Sequence, residues 1–191
     1  MAIRKVARLG HPVLREVSRP LRLEEFGTDD LRRLITDMID TMKEYGGIGL
    51  AAPQIHESLQ LAIIGFSENS KRYPKMGNMP LTVVINPRIT VLDEETQGFW
   101  EGCLSVPGIR GLVYRPRKIK INFLDENGNE REIQAEDFLA TVFQHELDHL
   151  AGVIYVDRVE GGPGKKPLAF QEEYEKYLVP SQGEEVRELT D

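Results

Sequence analysis

The chain has 191 residues, 40% of them hydrophobic and 29% charged, a balance that supports one packed domain and excludes a disordered chain. Its 24 basic and 31 acidic residues leave a formal charge of −7, which argues against an extended nucleic-acid groove. One cysteine, Cys103, excludes an intramolecular disulfide and suits a reducing compartment. The opening residues, Met1 to Leu9, hold no apolar signal core, and no apolar run approaches the length of a membrane span. The expected address is therefore the cytoplasm, with no membrane and no specific nucleic acid as partner.

In chain order, a folded element is expected almost from the amino terminus, and Arg19 to Phe26 shows no periodicity. Thr28 is a suitable N-cap, and Asp29 and Asp30 favour the positive end of a helix. Leu31, Leu34, Ile35, Met38, Ile39 and Met42 then recur at helical spacing, which predicts one face turned to a core. Gly46 and Gly47 end that helix. Leu59 to Ile64 reads as a buried strand, and Leu81 to Asn86 and Ile89 to Leu92 as two more divided by Pro87. The polar segment 67–79 between them is expected to be a surface loop. Lys118 to Leu124 alternates as a strand, and a turn at Asp125, Asn127 and Gly128 leads to a return strand, Glu130 to Ala135.

A second helix is predicted from about Asp137 to Leu150, with Gly152 placed to stop it. Gly161 to Gly164 breaks the chain, a short helix is expected over Phe170 to Leu178, and the residues from Pro180 on read as an acidic, flexible tail. The expectation is an α+β domain with mixed or antiparallel strands packed around a central helix. One domain covers 1–179 and the tail covers 180–191.

The informative residues of the second helix are polar. His145, Glu146 and His149 form a His-Glu-x-x-His pattern. Histidines four apart project from one helix face and can reach one metal ion, while the glutamate beside the first can touch a bound water. The same residues would also suit a solvated helix face. A third ligand is needed, and after His149 the chain has no further histidine or cysteine. Asp157 and Glu160 are downstream candidates without a supporting motif. Cys103 lies upstream in Glu101-Gly102-Cys103-Leu104-Ser105. A lone cysteine is most often a small buried apolar residue, yet glycine beside it and Pro107 after it suggest a tight, exposed turn presenting a thiolate. A thiolate with two imidazoles leaves a fourth position for water. A third segment, Gly47 to Gln54, combines small residues that allow close backbone approach with an amide able to donate to an oxyanion. Alone it also fits a glycine-rich helix end.

Taken together, Gly47 to Gln54, Glu101 to Ser105 and Gln144 to His149 closely resemble, in order and separation, the three signature motifs of peptide deformylases. Arg8 to Arg15 resembles that family's amino terminus, and the likeness runs from about Ile3 to Val159. The longer 67–79 loop and the acidic tail depart from the family pattern. The resemblance implies a hydrolase that removes the formyl group from the formyl-methionine of new polypeptides and releases formate. It implies Cys103, His145 and His149 as metal ligands, with Fe(II) native and Zn, Ni or Co accepted. It also implies Glu146 as general base and acid, with Gln54 and the Leu104 N–H as oxyanion donors. Ile48, Glu101, Phe138 and Val142 would wall the pocket for the first side chain. Gly49 counts among the substrate contacts, the peptide runs along Ile48 and Gly102, and Arg110 stands near the mouth. Implied partners are formyl-Met peptides and nascent chains, with a transient ribosome contact.

Two other classes fit parts of this pattern. A zinc endopeptidase or aminopeptidase shares the helix motif but usually shows a downstream ligand motif, which is missing here. A catalytically silent metal- or peptide-binding module would need neither Glu146 nor Gln54.

Overall fold

Thr28 caps the first helix as expected. In the computed structural model, which describes residues 2–66, 78–159 and 168–178, its hydroxyl accepts from the Leu31 N–H at 3.3 Å. Helix α1 follows as Asp29–Glu44 and buries Leu31, Ile35, Met38 and Met42 along one stripe. The chain before it is tied to this helix from its second residue. Ala2 N–H donates to Asp37 Oδ1 at 2.8 Å and Arg4 N–H to Thr41 Oγ1 at 2.9 Å, which satisfies two polar side chains buried on α1.

The strands are β1 (Gly49–Ala51), β2 (Leu61–Phe66), β3 (Met79–Cys103), β4 (Val106–Leu124), β5 (Glu130–Glu136) and, after helix α2 (Asp137–Leu150), β6 (Leu168–Phe170). They form one sheet in the order β1-β2-β3-β4-β5, with β6 added to β4. Every pairing between these strands is antiparallel. A single α-helical turn, Gln171–Glu173, continues as a π-helical turn, Tyr174–Leu178.

Helices cover both faces of β2, which explains its continuous apolar run. Leu61 and Ile63 pack with Ile35, Met38 and Met42 of α1. On the other side Ile64 joins the cluster of Val142 and Phe143 from α2, and Ala62 meets Leu150. Strand β2 begins two residues later than expected and runs on to Phe66. Pro87 does not divide two strands, because it lies where the β3–β4 register shifts between Ile85 and Arg88; a bulge tolerates the missing N–H. Strand β1 was not expected, since small residues gave it no strand pattern; it forms because Leu50 and Ala51 are fully buried against β2. The Lys118 to Leu124 strand is the far end of β4, and the third helix starts at Gln171, after β6. The expected loop over 67–79 lies outside the described residues up to 77. The 161–164 break and the tail from 180 lie outside them entirely.

Candidate metal centre and active site

Two elements deliver the candidate ligands. Strand β3 ends at Cys103, and a two-residue turn at Leu104 and Ser105 returns the chain into β4, with Cys103 paired to Val106. The register shifts between Glu101 and Cys103, the kind of bulge that re-aims a side chain. The turn is tight, but Cys103 is not exposed as the sequence suggested: it is 9% accessible and packs with Leu14, Val113 and Tyr155. Helix α2 supplies His145 and His149 from one face, their rings 5.2 Å apart. The ligand atoms of Cys103, His145 and His149 all lie within 4.8 Å of one another, and Cys103 Sγ is 3.2 Å from His149 Nε2. Asp157, a downstream alternative, is elsewhere: its carboxylate pairs with Arg15 and accepts from the Ile154 N–H at 2.9 Å. Glu160 lies outside the described residues.

The surroundings of Cys103 favour the thiolate, the form that binds a metal. Burial resists ionisation of Cys103, but the facing imidazoles outweigh it and hold the thiol well below its ordinary range. The Ser105 N–H at 3.4 Å and Gln54 Nε2 at 3.3 Å also point at the sulfur. This is the electropositive setting in which a thiolate persists. His145 donates from Nδ1 to Glu101 at 2.7 Å, which fixes its ring and leaves Nε2 for a ligand. Glu101 is itself gripped by Arg115 through two bonds of 2.6 and 3.0 Å, and Arg115 reaches Asp148 at 2.8 Å. Arg158 completes the chain of charges from the outside, 2.6 Å from Asp148.

Glu146 stands next to the ligand set and is held by space. A Cβ on Gly49 would lie 2.3 Å from Glu146 Oε1 and 2.6 Å from its Cδ, so only glycine admits the carboxyl there. Burial pushes the Glu146 carboxyl up to about 7. Among the described residues its Oε2 is buried without a hydrogen-bond partner, although it lines the pocket. Gln54 is equally constrained: the Ala51 N–H donates to its Oε1 at 2.8 Å, which turns its amide nitrogen toward Cys103 and Ser105. The segment Ala7 to Leu9 clamps both loops. Ala7 N–H donates to the Gln54 carbonyl at 2.7 Å, Leu9 N–H to that of Ser105 at 2.8 Å, and the Arg8 guanidinium to that of Leu104.

Ile48, Gly49, Glu101, Gly102, Phe138 and Val142 line one pocket with Cys103, Leu104, His145 and Glu146. Arg110, expected at its mouth, lies outside that lining. It packs behind Gly102, with Nε donating to Gln171 at 2.6 Å. Glu101 does more than wall the pocket, because its carboxylate orients His145. Sequence reasoning missed Arg115, Asp148, Arg158, Ser105 and Trp100, the last also in the pocket wall.

A thiolate and two imidazoles within reach of one ion, with a buried carboxyl lining the same pocket as two of them, define the site of a metal-dependent hydrolase. The polypeptide deformylase family is matched over residues 3–163, and the chain belongs to that family. A peptide deformylase of Leptospira biflexa is 46% identical over 160 residues, covering 84% of this chain and 89% of the relative. Peptide deformylase 1 of Bordetella pertussis is 47% identical over 157 residues, with 82% and 88% covered. The crystal structure of the class I type b peptide deformylase from Acinetobacter baumannii with Met-Ala-Ser bound has a TM-score of 0.79 and 35% identity, covering 83% of this chain and 99% of that one.

Proposed function

We propose that this chain hydrolyses the N-formyl group from the amino-terminal formyl-methionine of new polypeptides, yielding formate and a free amine. One observation carries the reading. The Cys103, His145 and His149 donor atoms lie within 4.8 Å of one another, and Cys103 and His145 line a pocket together with Glu146, whose Oε2 has no hydrogen-bond partner among the described residues. Sulfur and imidazole donors fit a divalent ion of borderline softness and do not suit Mg or Ca. These three residues would hold one ion, Fe(II) in the native enzyme, with Zn, Ni or Co in purified protein. When bound, the ion supplies Lewis acidity toward water and the formyl carbonyl.

The chain's own residues do the rest. Glu146 takes the proton of the attacking water and returns it to the departing amine, and a carboxyl raised to about 7 is matched to both tasks. Gln54 Nε2 and the Leu104 N–H donate to the oxygen that gains charge at the tetrahedral carbon. The bond from Ala51 to Gln54 and that from Arg8 to Leu104 hold these donors in place beforehand. Ile48, Phe138 and Val142 give the methionine side chain an apolar wall, and the peptide backbone lies along Ile48 and Gly102 as an added strand. The relative solved with Met-Ala-Ser supports a peptide beginning with methionine. Nascent chains met in the cytoplasm, with a transient ribosome contact, complete the proposal, as does one catalytic domain over 1–179 followed by the acidic tail over 180–191. Among the described residues no helix is long and apolar enough to cross a membrane.

Anaerobically purified, metal-assayed protein should release formate from formyl-Met-Ala-Ser and leave Met-Ala-Ser uncleaved. Cleavage of the peptide bonds without formate would make the chain a peptidase and end this reading. Elemental analysis of Cys103→Ala should show the metal largely lost; full occupancy would remove Cys103 from the ligand set.

A further inference from the structure

The strap formed by β6 and the helical turns after it lies beyond residues 3–163, yet it docks on the wall of the pocket. Strand β6 adds to β4 at Ile109 to Gly111. The turns that follow place Gln171 and Tyr174, three apart, on one half-buried face, while Glu172, Glu173 and Glu175 are exposed. Contacts run from that face to Trp100 and to Arg110. The Tyr174 ring packs against the Trp100 indole with centroids 5.5 Å apart at 47°, and Trp100 lines the pocket. Gln171 Oε1 accepts from Arg110 Nε at 2.6 Å, and the Arg110 guanidinium also lies 5.6 Å over the Tyr174 ring. Arg110 in turn occupies the space beside Gly102, where a Cβ would come within 2.5 Å of Nη1.

We propose that Gln171 and Tyr174 are positioning residues that fix the Trp100–Gly102 rim and so set affinity for the peptide part of the substrate. The proposal rests on the deformylase reading, since that rim is where a formylated peptide would lie. An indole at a pocket edge samples several rotamers unless a neighbour holds it, and each ordered rotamer lowers the entropic cost of binding. Tyr174 supplies that neighbour. Gln171 acts through Arg110, whose guanidinium supports the backbone at Gly102 from behind. Through Trp100 and Arg110 both residues bear on the rim, so the strap acts on binding and not on proton transfer.

Trp100 is the chain's one tryptophan, so intrinsic emission reads the Tyr174 contact directly. In the full-length, metal-loaded enzyme, Tyr174→Ala and Gln171→Ala should raise KM for formyl-Met-Ala-Ser about 3- to 10-fold and leave kcat within about 2-fold. Tyr174→Ala should also shift Trp100 emission to the red and lower its anisotropy. Tyr174→Phe keeps the ring and should restore both readouts. Unchanged KM in both alanine variants overturns the proposal, and so does a fall in kcat with metal retained, which would move the effect into the chemistry. Binding of unformylated Met-Ala-Ser, followed by Trp100 emission, separates this from the deformylase reading. Tyr174→Ala binding it as tightly as wild type sinks the strap proposal whether or not formate is released.

Discussion

Gly49 and Glu146 compete for one volume, and the fold gives it to the carboxyl. Gly49→Ala must push Glu146 away from the ligand set, so turnover should fall on the order of 10²-fold while metal content stays near one per chain. Glu146→Gln tests the same group differently. It keeps shape but cannot take a proton, so metal and fold should persist while formate release drops ~10²–10⁴-fold. Metal lost from Glu146→Gln would make the residue a ligand. Near-normal turnover in it would refute the acid–base role. A second pair of substitutions separates buried from exposed charge. Arg115 is 2% accessible and holds both Glu101 and Asp148. Arg115→Met removes the buried cation between those carboxylates, leaving Glu101 with His145 alone and Asp148 with Arg158 alone, and should cost about 3–5 kcal/mol and ~10–100-fold in metal affinity. The Arg158 side chain is 46% exposed, so Arg158→Ala should cost no more than about 1 kcal/mol. Denaturant midpoints and metal titrations check both, and equal costs would show that burial does not decide the network's value.

The β4–β5 hairpin turns on Asp125, whose carboxylate accepts from the Asn127 and Asn129 N–H groups and from Arg131, all at 2.9 Å. Burial opposes its ionisation, but these donors prevail and hold the carboxyl at about 2, below the ~3.9 of an unfolded aspartate. A folded pKa below the unfolded one stabilises above ~4, and that contribution is lost as pH falls toward 2. The difference in Tm between wild type and Asp125→Asn should therefore be largest at pH 5 and shrink by pH 2. A difference independent of pH would deny the turn this role. The hairpin was legible because its turn residues declare themselves, and so were α1 and α2, through Thr28, the apolar stripe and the spacing of His145 and His149. Strand β1 was not, because small residues buried by their neighbours carry no period. Arg115 was hidden for a different reason. It shares strand parity with Val113, Ile119 and Ile121, which are all buried, but the expected strand began at Lys118, so the inward position of an arginine went unread. The partner set of Arg110 depends on β6 and the turns after it, which pair across more than 50 residues of sequence, on the order of a whole hairpin beyond any local pattern.

At the scale of the molecule, the proposed ligand set spans parts that packing and a few polar links, such as His145 to Glu101 and Arg115 to Asp148, already join. Cys103 ends β3, His145 and His149 belong to α2, and the Ala7 to Leu9 segment clamps the Leu104–Ser105 turn and the Gln54 loop. An ion bound across β3 and α2 stabilises the folded state alone, because the unfolded chain does not gather the three donors. At a free metal concentration of 100 Kd the linkage is worth about 2.7 kcal/mol, and a chain of this size gains roughly 2–4 °C per kcal/mol. Chelation should therefore lower Tm by roughly 5–10 °C, and adding back Ni or Co should restore it. Cys103→Ala should start near the chelated value and respond little to chelator, because it lacks one arm of the bridge. Glu146→Gln should lose the full wild-type increment on chelation despite its lost turnover, since it leaves all three donors in place. If chelation moved Glu146→Gln no more than Cys103→Ala, the carboxylate would belong to the bridge itself, and its assignment as the proton carrier would have to be given up.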